Sequence, residues 1–155
     1  MRRWAALAVV LAVGLSAGCT TDPRKATRKV DDAVATALGI PVAELAAAGV
    51  RSDPGSMPIP CLDACPTAQV ELPARGGDRA DWLPLPVLER LVAAGYAVEA
   101  TQEPFGAPSP GPAGTDDVAA CRRVLPAGGS CTLRKQVLIR LQVYGDTFGI
   151  RADGG

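Results

Sequence analysis

Histidine is absent from all 155 residues, and with it go the Ser-His-Asp and Cys-His nucleophile arrangements, histidine-ligated zinc and any imidazole acid or base. Aromatic residues are scarce. Two each of Phe, Trp and Tyr, 4% of the chain, are too few for a stacking platform along single-stranded nucleic acid or sugar. Neither sign of charge is in excess, with 16 basic against 16 acidic side chains, so the basic face that a nucleic-acid partner needs is not expected. A run of about 20 apolar residues, the length of a membrane-spanning helix, is also lacking. What remains is the material of an ordinary folded chain, 48% hydrophobic and 21% charged, at a length that favours one domain. No Gly-rich phosphate loop, EF-hand loop or nucleophile elbow is present.

The first residues carry the most information. Arg2 and Arg3 precede an apolar run of 14 residues, Trp4 to Ala17, which is the length of a signal-peptide core rather than of a membrane span. It ends in Leu15-Ser16-Ala17-Gly18-Cys19. Small residues before a cleavage point suit a peptidase that takes an extended chain, and the cysteine after them supplies a thiol that can be alkylated. Residues 1–19 thereby resemble a bacterial lipoprotein signal peptide, with Leu15 to Cys19 as its lipobox. Ser16 occupies the place three before the cysteine where leucine is usual. The resemblance implies cleavage between Gly18 and Cys19 and a diacylglyceryl thioether on Cys19, completed by acyl chains such as palmitate. Two or three chains suffice for stable anchoring at about 0.8 kcal/mol per buried CH₂. The alternative is an ordinary secretory peptide cleaved near Ser16-Ala17-Gly18 that leaves Cys19 as a spare thiol. Both end outside the cytoplasm. Without Arg2 and Arg3 the 16 basic groups become 14 against 16 acidic, a net charge of −2, so the lipid and not electrostatics is expected to hold the protein to the membrane.

Residues 19–60 read as a helical segment and linker. Asp22 can cap a helix with Pro23 at its first position, and Ala26, Val30, Ala33, Val34, Ala37 and Leu38 recur at helical spacing up to Gly39. A shorter helix is predicted over 41–48. The segment is either a stalk or part of the domain. Residues 61–155 read as an α+β domain: a strand at 68–72, a helix at 86–94 closed by Gly95, a strand at 96–100, and a hairpin of 133–143 with 147–151 about Tyr144-Gly145-Asp146. Strand, helix and strand from 68 to 100 suggest a βαβ-like unit. Between 104 and 114, seven of eleven residues are Pro or Gly, the composition of a spacer. The fold class expected is a small antiparallel-rich sheet with one covering helix, preceded by the N-terminal helical segment. That helix, 86–94, is also expected to shield the outward-facing Leu138.

Cys61, Cys65, Cys121 and Cys131 are an even number in an oxidising compartment and read as two disulfides, with three connectivities open and the local pairs Cys61–Cys65 and Cys121–Cys131 favoured. The CxxxC spacing of Cys61 and Cys65 leaves redox or metal chemistry as the other reading. Asp31-Asp32 and Asp116-Asp117 are adjacent, not one turn apart, and neither is a ready acid–base dyad. The second pair suits a helix start. Arg122-Arg123 and Arg134-Lys135 make basic spots beside the last two cysteines, either solvated surface or a dock for a carboxylate or phosphate. Trp82 is expected at the core or its rim. No catalytic residue, metal or cofactor is assigned; the partners expected are the membrane, through Cys19, and an envelope protein or ligand that the sequence does not identify, with no nucleic acid. A non-enzymatic binding or accessory module is the leading function. A carboxylate-dependent hydrolase and an envelope spacer or assembly protein are the alternatives.

Overall fold

A computed structural model describes residues 23–55, 65–104 and 118–154. Gly18, Cys19, Cys61, Asp116 and Asp117 therefore lie outside the described residues, as does nearly all of the Pro/Gly-rich 104–114 stretch.

The chain is mixed α+β. Helix α1 (Pro23–Leu38) leads through a 3₁₀ turn (Val42–Glu44) into strand β1 (Arg51–Asp53). Strand β2 (Thr67–Pro73), a second 3₁₀ turn (Ala80–Trp82), helix α2 (Pro84–Ala93) and strand β3 (Ala97–Gln102) follow. Helix α3 (Val118–Val124) then precedes the strands β4 (Ser130–Arg134), β5 (Leu138–Tyr144) and β6 (Thr147–Asp153). The six strands form one sheet in the order β1-β2-β6-β5-β4-β3, with every neighbouring pair antiparallel.

Alternation decides the two faces of the sheet, because successive strand side chains point to opposite sides. Ala68, Val70 and Leu72 of β2, Phe148, Ile150 and Ala152 of β6, and Ile139, Leu141 and Val143 of β5 are all buried on one face, with Cys131 and Leu133 of β4 beside them. The helices cover that face: α1 lies over β2 and β6, α2 meets α1 and β5, and α3 lies over β3 and β4. The other face carries Gln69, Glu71, Arg140, Gln142, Tyr144 and Arg151.

Helix α1 resolves the choice between stalk and domain. Ala26, Val30, Ala33, Val34, Ala37 and Leu38 are all buried in the common core, so the segment packs on the sheet. Burying a Val or Leu side chain contributes roughly 1.5–3 kcal/mol, which makes α1 integral to the fold. Its last carbonyls are satisfied in two ways. Gly39, at φ 67°, closes the helix so that Gly39 N–H donates to Thr36 O and Ile40 N–H to Ala35 O. Trp82 Nε1 donates to Leu38 O at 2.9 Å, and the Arg90 guanidinium donates to Ala37 O. The rim position expected of Trp82 thus has a purpose: it ties α1 to the start of α2. Helix α2 ends in the same motif, with Gly95 N–H on Val92 O and Tyr96 N–H on Leu91 O.

Five expectations are corrected. The sheet has more than one covering helix, since α1 and α3 share the work of α2. The unit read as βαβ has its strands β2 and β3 running parallel, but β6, β5 and β4 stand between them, so the connection through α2 passes three strands instead of joining neighbours. The strand read over 133–143 is two strands that turn back at Lys135–Val137, pairing Leu133 with Ile139. That turn carries no Gly, Pro or Asn to announce it. Helix α2 lies on the face of Ile139, not of Leu138, so it does not cover Leu138, which stays half-buried on the open side. The helix predicted over 41–48 shortens to the 3₁₀ turn at 42–44, because its stripe buries little beyond Leu45.

Candidate functional site

The face of the sheet opposite the helices has no covering element among the described residues, and its centre is a concavity lined largely by polar groups. Register assembles it. Gly149 on β6 lies between Glu71 on β2 and Gln142 on β5, and one step away Arg151 lies between Gln69 and Arg140. Because residue 149 has no side chain, the floor of the sheet is open there. A Cβ would meet Tyr144 Cε1 only at 3.5 Å. The result is a depression of about 220 Å³ walled by Gln69, Glu71, Arg140, Gln142, Tyr144 and Arg151. Ligand pockets for drug-sized molecules run from about 300 Å³ upward, so this volume suits one side chain or one small acid group.

Its electrostatics favour an anion on one side. The Tyr144 hydroxyl donates to Glu71 Oε1 at 2.8 Å, which occupies the carboxylate and, by that hydrogen bond, holds the phenol above its ordinary range. Tyr144 is therefore a neutral donor and not a base. Arg151 Nε donates to Asp153 Oδ1 at 2.8 Å. Arg140 makes no ion pair among the described residues and faces Arg151 directly across the β5–β6 ladder. Two guanidiniums side by side, one of them without a carboxylate, with the Gln69 and Gln142 amides at hand, form a set of donors that an anionic group completes. Among the described residues no pair of carboxylates converges on the depression.

A larger cleft of about 320 Å³ lies where α2 begins, between Leu83, Pro84, Leu85 and Pro86 on one side and Leu125 and Pro126 on the other. Arg75 is its single ionisable group, so it offers apolar contact without the polar anchors that orient a ligand.

The residues singled out in the sequence are dispersed. Cys121 on α3 and Cys131 on β4 are both buried and stand at disulfide distance with their Cα atoms 5.7 Å apart, the local pairing favoured above. Cys65 is exposed just before β2, and its expected partner Cys61 lies outside the described residues. The basic spots are not free docks. Arg122 pairs with Glu89 through two hydrogen bonds at 2.6 and 3.0 Å, Arg123 with Glu103 at 3.0 Å, Arg134 with Glu99 at 2.5 Å, and Lys135 Nζ donates to the Ala94 carbonyl at 2.7 Å. Asp31 accepts from Ser52 Oγ and does not meet Asp32 in a dyad. Among the described residues no three Cys, Asp or Glu side chains are grouped so as to hold a metal ion. The open-face set was missed as a site. The missing step was the pairing of β6 with β2, which no local pattern reveals.

No family model, no curated protein and no solved structure matches this chain. Among the described residues no helix is long and apolar enough to cross a membrane.

Proposed function

We propose that this chain is a lipid-anchored cell-envelope lipoprotein and that its domain is a non-enzymatic binding module. Residues 1–18 are the signal peptide, Cys19 carries the lipid on the extracytoplasmic side, and the four later cysteines pair as Cys61–Cys65 and Cys121–Cys131. The anchoring half of this reading rests on the basic start, the apolar run and Leu15-Ser16-Ala17-Gly18-Cys19. The binding half rests on the uncovered polar sheet face, where Arg140 lacks a carboxylate beside Arg151. That donor set favours binding over carboxylate-dependent hydrolysis, because the one acid in the depression, Glu71, is engaged by Tyr144. The chemistry it fits is a carboxylate or phosphate on a partner or small ligand.

Two measurements test the halves separately. Cells expressing Cys19→Ala are fractionated, and the protein is expected to leave the position of the lipidated form. Retention of a cleaved Cys19→Ala chain in the membrane counts against the anchor. A photo-activatable residue placed at Gln142 is expected to capture a defined partner or ligand in the native envelope, while the same residue at Glu89, on α2, captures none. Equal capture, or none at Gln142, counts against the open face.

A further inference from the structure

The net charge of −2 conceals a strong segregation. Arg24, Lys25, Arg28 and Lys29 place four cations in six consecutive residues, the first two turns of α1, and all four are exposed while Ala26 and Val30 between them are buried. From Arg79 onward every basic side chain except Arg140 is held by a carboxylate or a carbonyl. By contrast, Lys25, Arg28 and Lys29 make no ion pair among the described residues. The next carboxylates along the helix are Asp31, engaged by Ser52, and Asp32. Arg24 and Lys25 also oppose the helix dipole, since the first turn of a helix favours acids and repels bases.

Their distance from the anchor supplies the reason. Only four residue steps separate Cys19 from Pro23, and a chain extends at most about 3.6 Å per residue, so α1 begins within about 14 Å of the backbone of the residue that would bear the lipid. There is no long spacer. A cluster of four to eight Lys or Arg immediately beside a membrane anchor is attracted to anionic lipid, by about a factor of five in partition for each cation near the surface. We infer that the exposed side of Arg24, Lys25, Arg28 and Lys29 docks on anionic phospholipid headgroups. The contact fixes the domain with the start of α1 against the bilayer, not tumbling on its lipid. The inference rests on the reading of Cys19 as the anchor. It also departs from the expectation that electrostatics has no part in membrane contact, because the local charge, not the net charge, is what a surface within a Debye length of about 8 Å experiences.

The test uses the chain from residue 20, which keeps every core residue from Ala26 to Ala152 and carries no lipid. Sedimentation with vesicles of phosphatidylcholine containing phosphatidylglycerol is compared with pure phosphatidylcholine. Binding is expected only on the anionic vesicles, weakening as sodium chloride rises. Changing all four residues to glutamine (Arg24→Gln, Lys25→Gln, Arg28→Gln, Lys29→Gln) is expected to lower partition roughly several hundredfold, with near-ultraviolet circular dichroism unchanged. Arg24→Lys with Arg28→Lys, which keeps the charge, is expected to keep the binding. Equal partition on both vesicles, or full binding by the folded glutamine variant, overturns the inference. Release by inorganic phosphate at an ionic strength where chloride releases nothing also overturns it, in favour of a free-anion site. Mass spectrometry of the N-terminal peptide from membrane-extracted full chain tests the anchor independently: an unlipidated Cys19 with intact vesicle binding refutes the anchor alone, and a lipidated Cys19 without vesicle binding refutes the patch alone.

Discussion

Arg140 on β5 and Arg151 on β6 stand directly opposite each other on the uncovered face of the sheet, and among the described residues only Arg151 has a carboxylate, Asp153 at 2.8 Å. Like charges opposite one another on an antiparallel pair are destabilising by roughly 0.2–1 kcal/mol. Arg140→Thr, which keeps a good strand former, is expected to raise the unfolding free energy by that order in urea titration. The same change removes the unpaired donor from the depression and is expected to weaken capture of an anionic partner. A loss of stability instead would mean that Arg140 serves the fold.

The Cys121–Cys131 pair ties α3 to β4 across a separation of 10 residues. Closing a loop of that size removes unfolded-state entropy worth about 2.7 kcal/mol. Cys121→Ala with Cys131→Ala is expected to lower stability by roughly 2–3 kcal/mol, read from urea denaturation with the slope fitted for each protein. Alkylation of the unreduced native chain at either cysteine would show that the bond does not form.

Both tyrosines titrate late. The hydrogen bond to Glu71 raises Tyr144, and burial, reinforced by the charge of Asp32, raises Tyr96. A phenol whose folded pKa lies above its unfolded value of about 10 contributes stability that is complete below pH ~10 and is lost as the pH climbs through the folded value. Ultraviolet titration of tyrosinate is expected to show no ionisation in the folded chain at the pH where the denatured chain is half ionised. Glu71→Gln is expected to bring Tyr144 back toward the ordinary phenol range and to leave Tyr96 where it is.

Trp82 Nε1 and the Arg90 guanidinium together serve the carbonyls of Leu38 and Ala37 at the end of α1. Trp82→Phe deletes the first donor while keeping most of the ring, and is expected to cost about 1 kcal/mol. Arg90→Met deletes a charged donor that also reaches Asp81 O at 2.8 Å, and is expected to cost roughly 1.5–3 kcal/mol. Because both donors hold the same helix end, the double variant is expected to cost less than the sum. Strict additivity would mean that the two contacts act independently.

Helix α1 was legible because its stripe from Ala26 to Leu38 and its stop at Gly39 are local signals, and α2 likewise from Val87, Leu88 and Leu91 to Gly95. Leu133 and Val137 fit a single alternating run, so the reversal at Lys135–Val137 was hidden by matching parity. Strand order was not legible at all. Val70 and Ile150 are paired across 80 residues by β2 and β6, and nothing near either residue announces the other. The open-face depression inherits that opacity, since Gln69 and Glu71 come from the middle of the chain and Arg140, Gln142, Tyr144 and Arg151 from its last sixteen residues. The basic spots at Arg122-Arg123 and Arg134-Lys135 were visible in sequence, but the partners that engage them, Glu89, Glu103 and Glu99, were not.

The last strand of the chain does not sit at an edge. β6 is inserted between β2 and β5, so the two halves of the sheet meet only through Thr147–Asp153. A chain made from its N-terminus delivers these residues after all the other strands. Until they arrive, β1 and β2 have no route into the sheet, and the surfaces of α1 that will bury Val30, Val34 and Leu38 wait for their floor. Completion of the fold thereby waits on Thr147–Asp153, however much of the rest is already in place. The cost is vulnerability at the final residues: a nonsense codon that removes Thr147 onward deletes the keystone and leaves two unpaired edges where a folded domain would have stood.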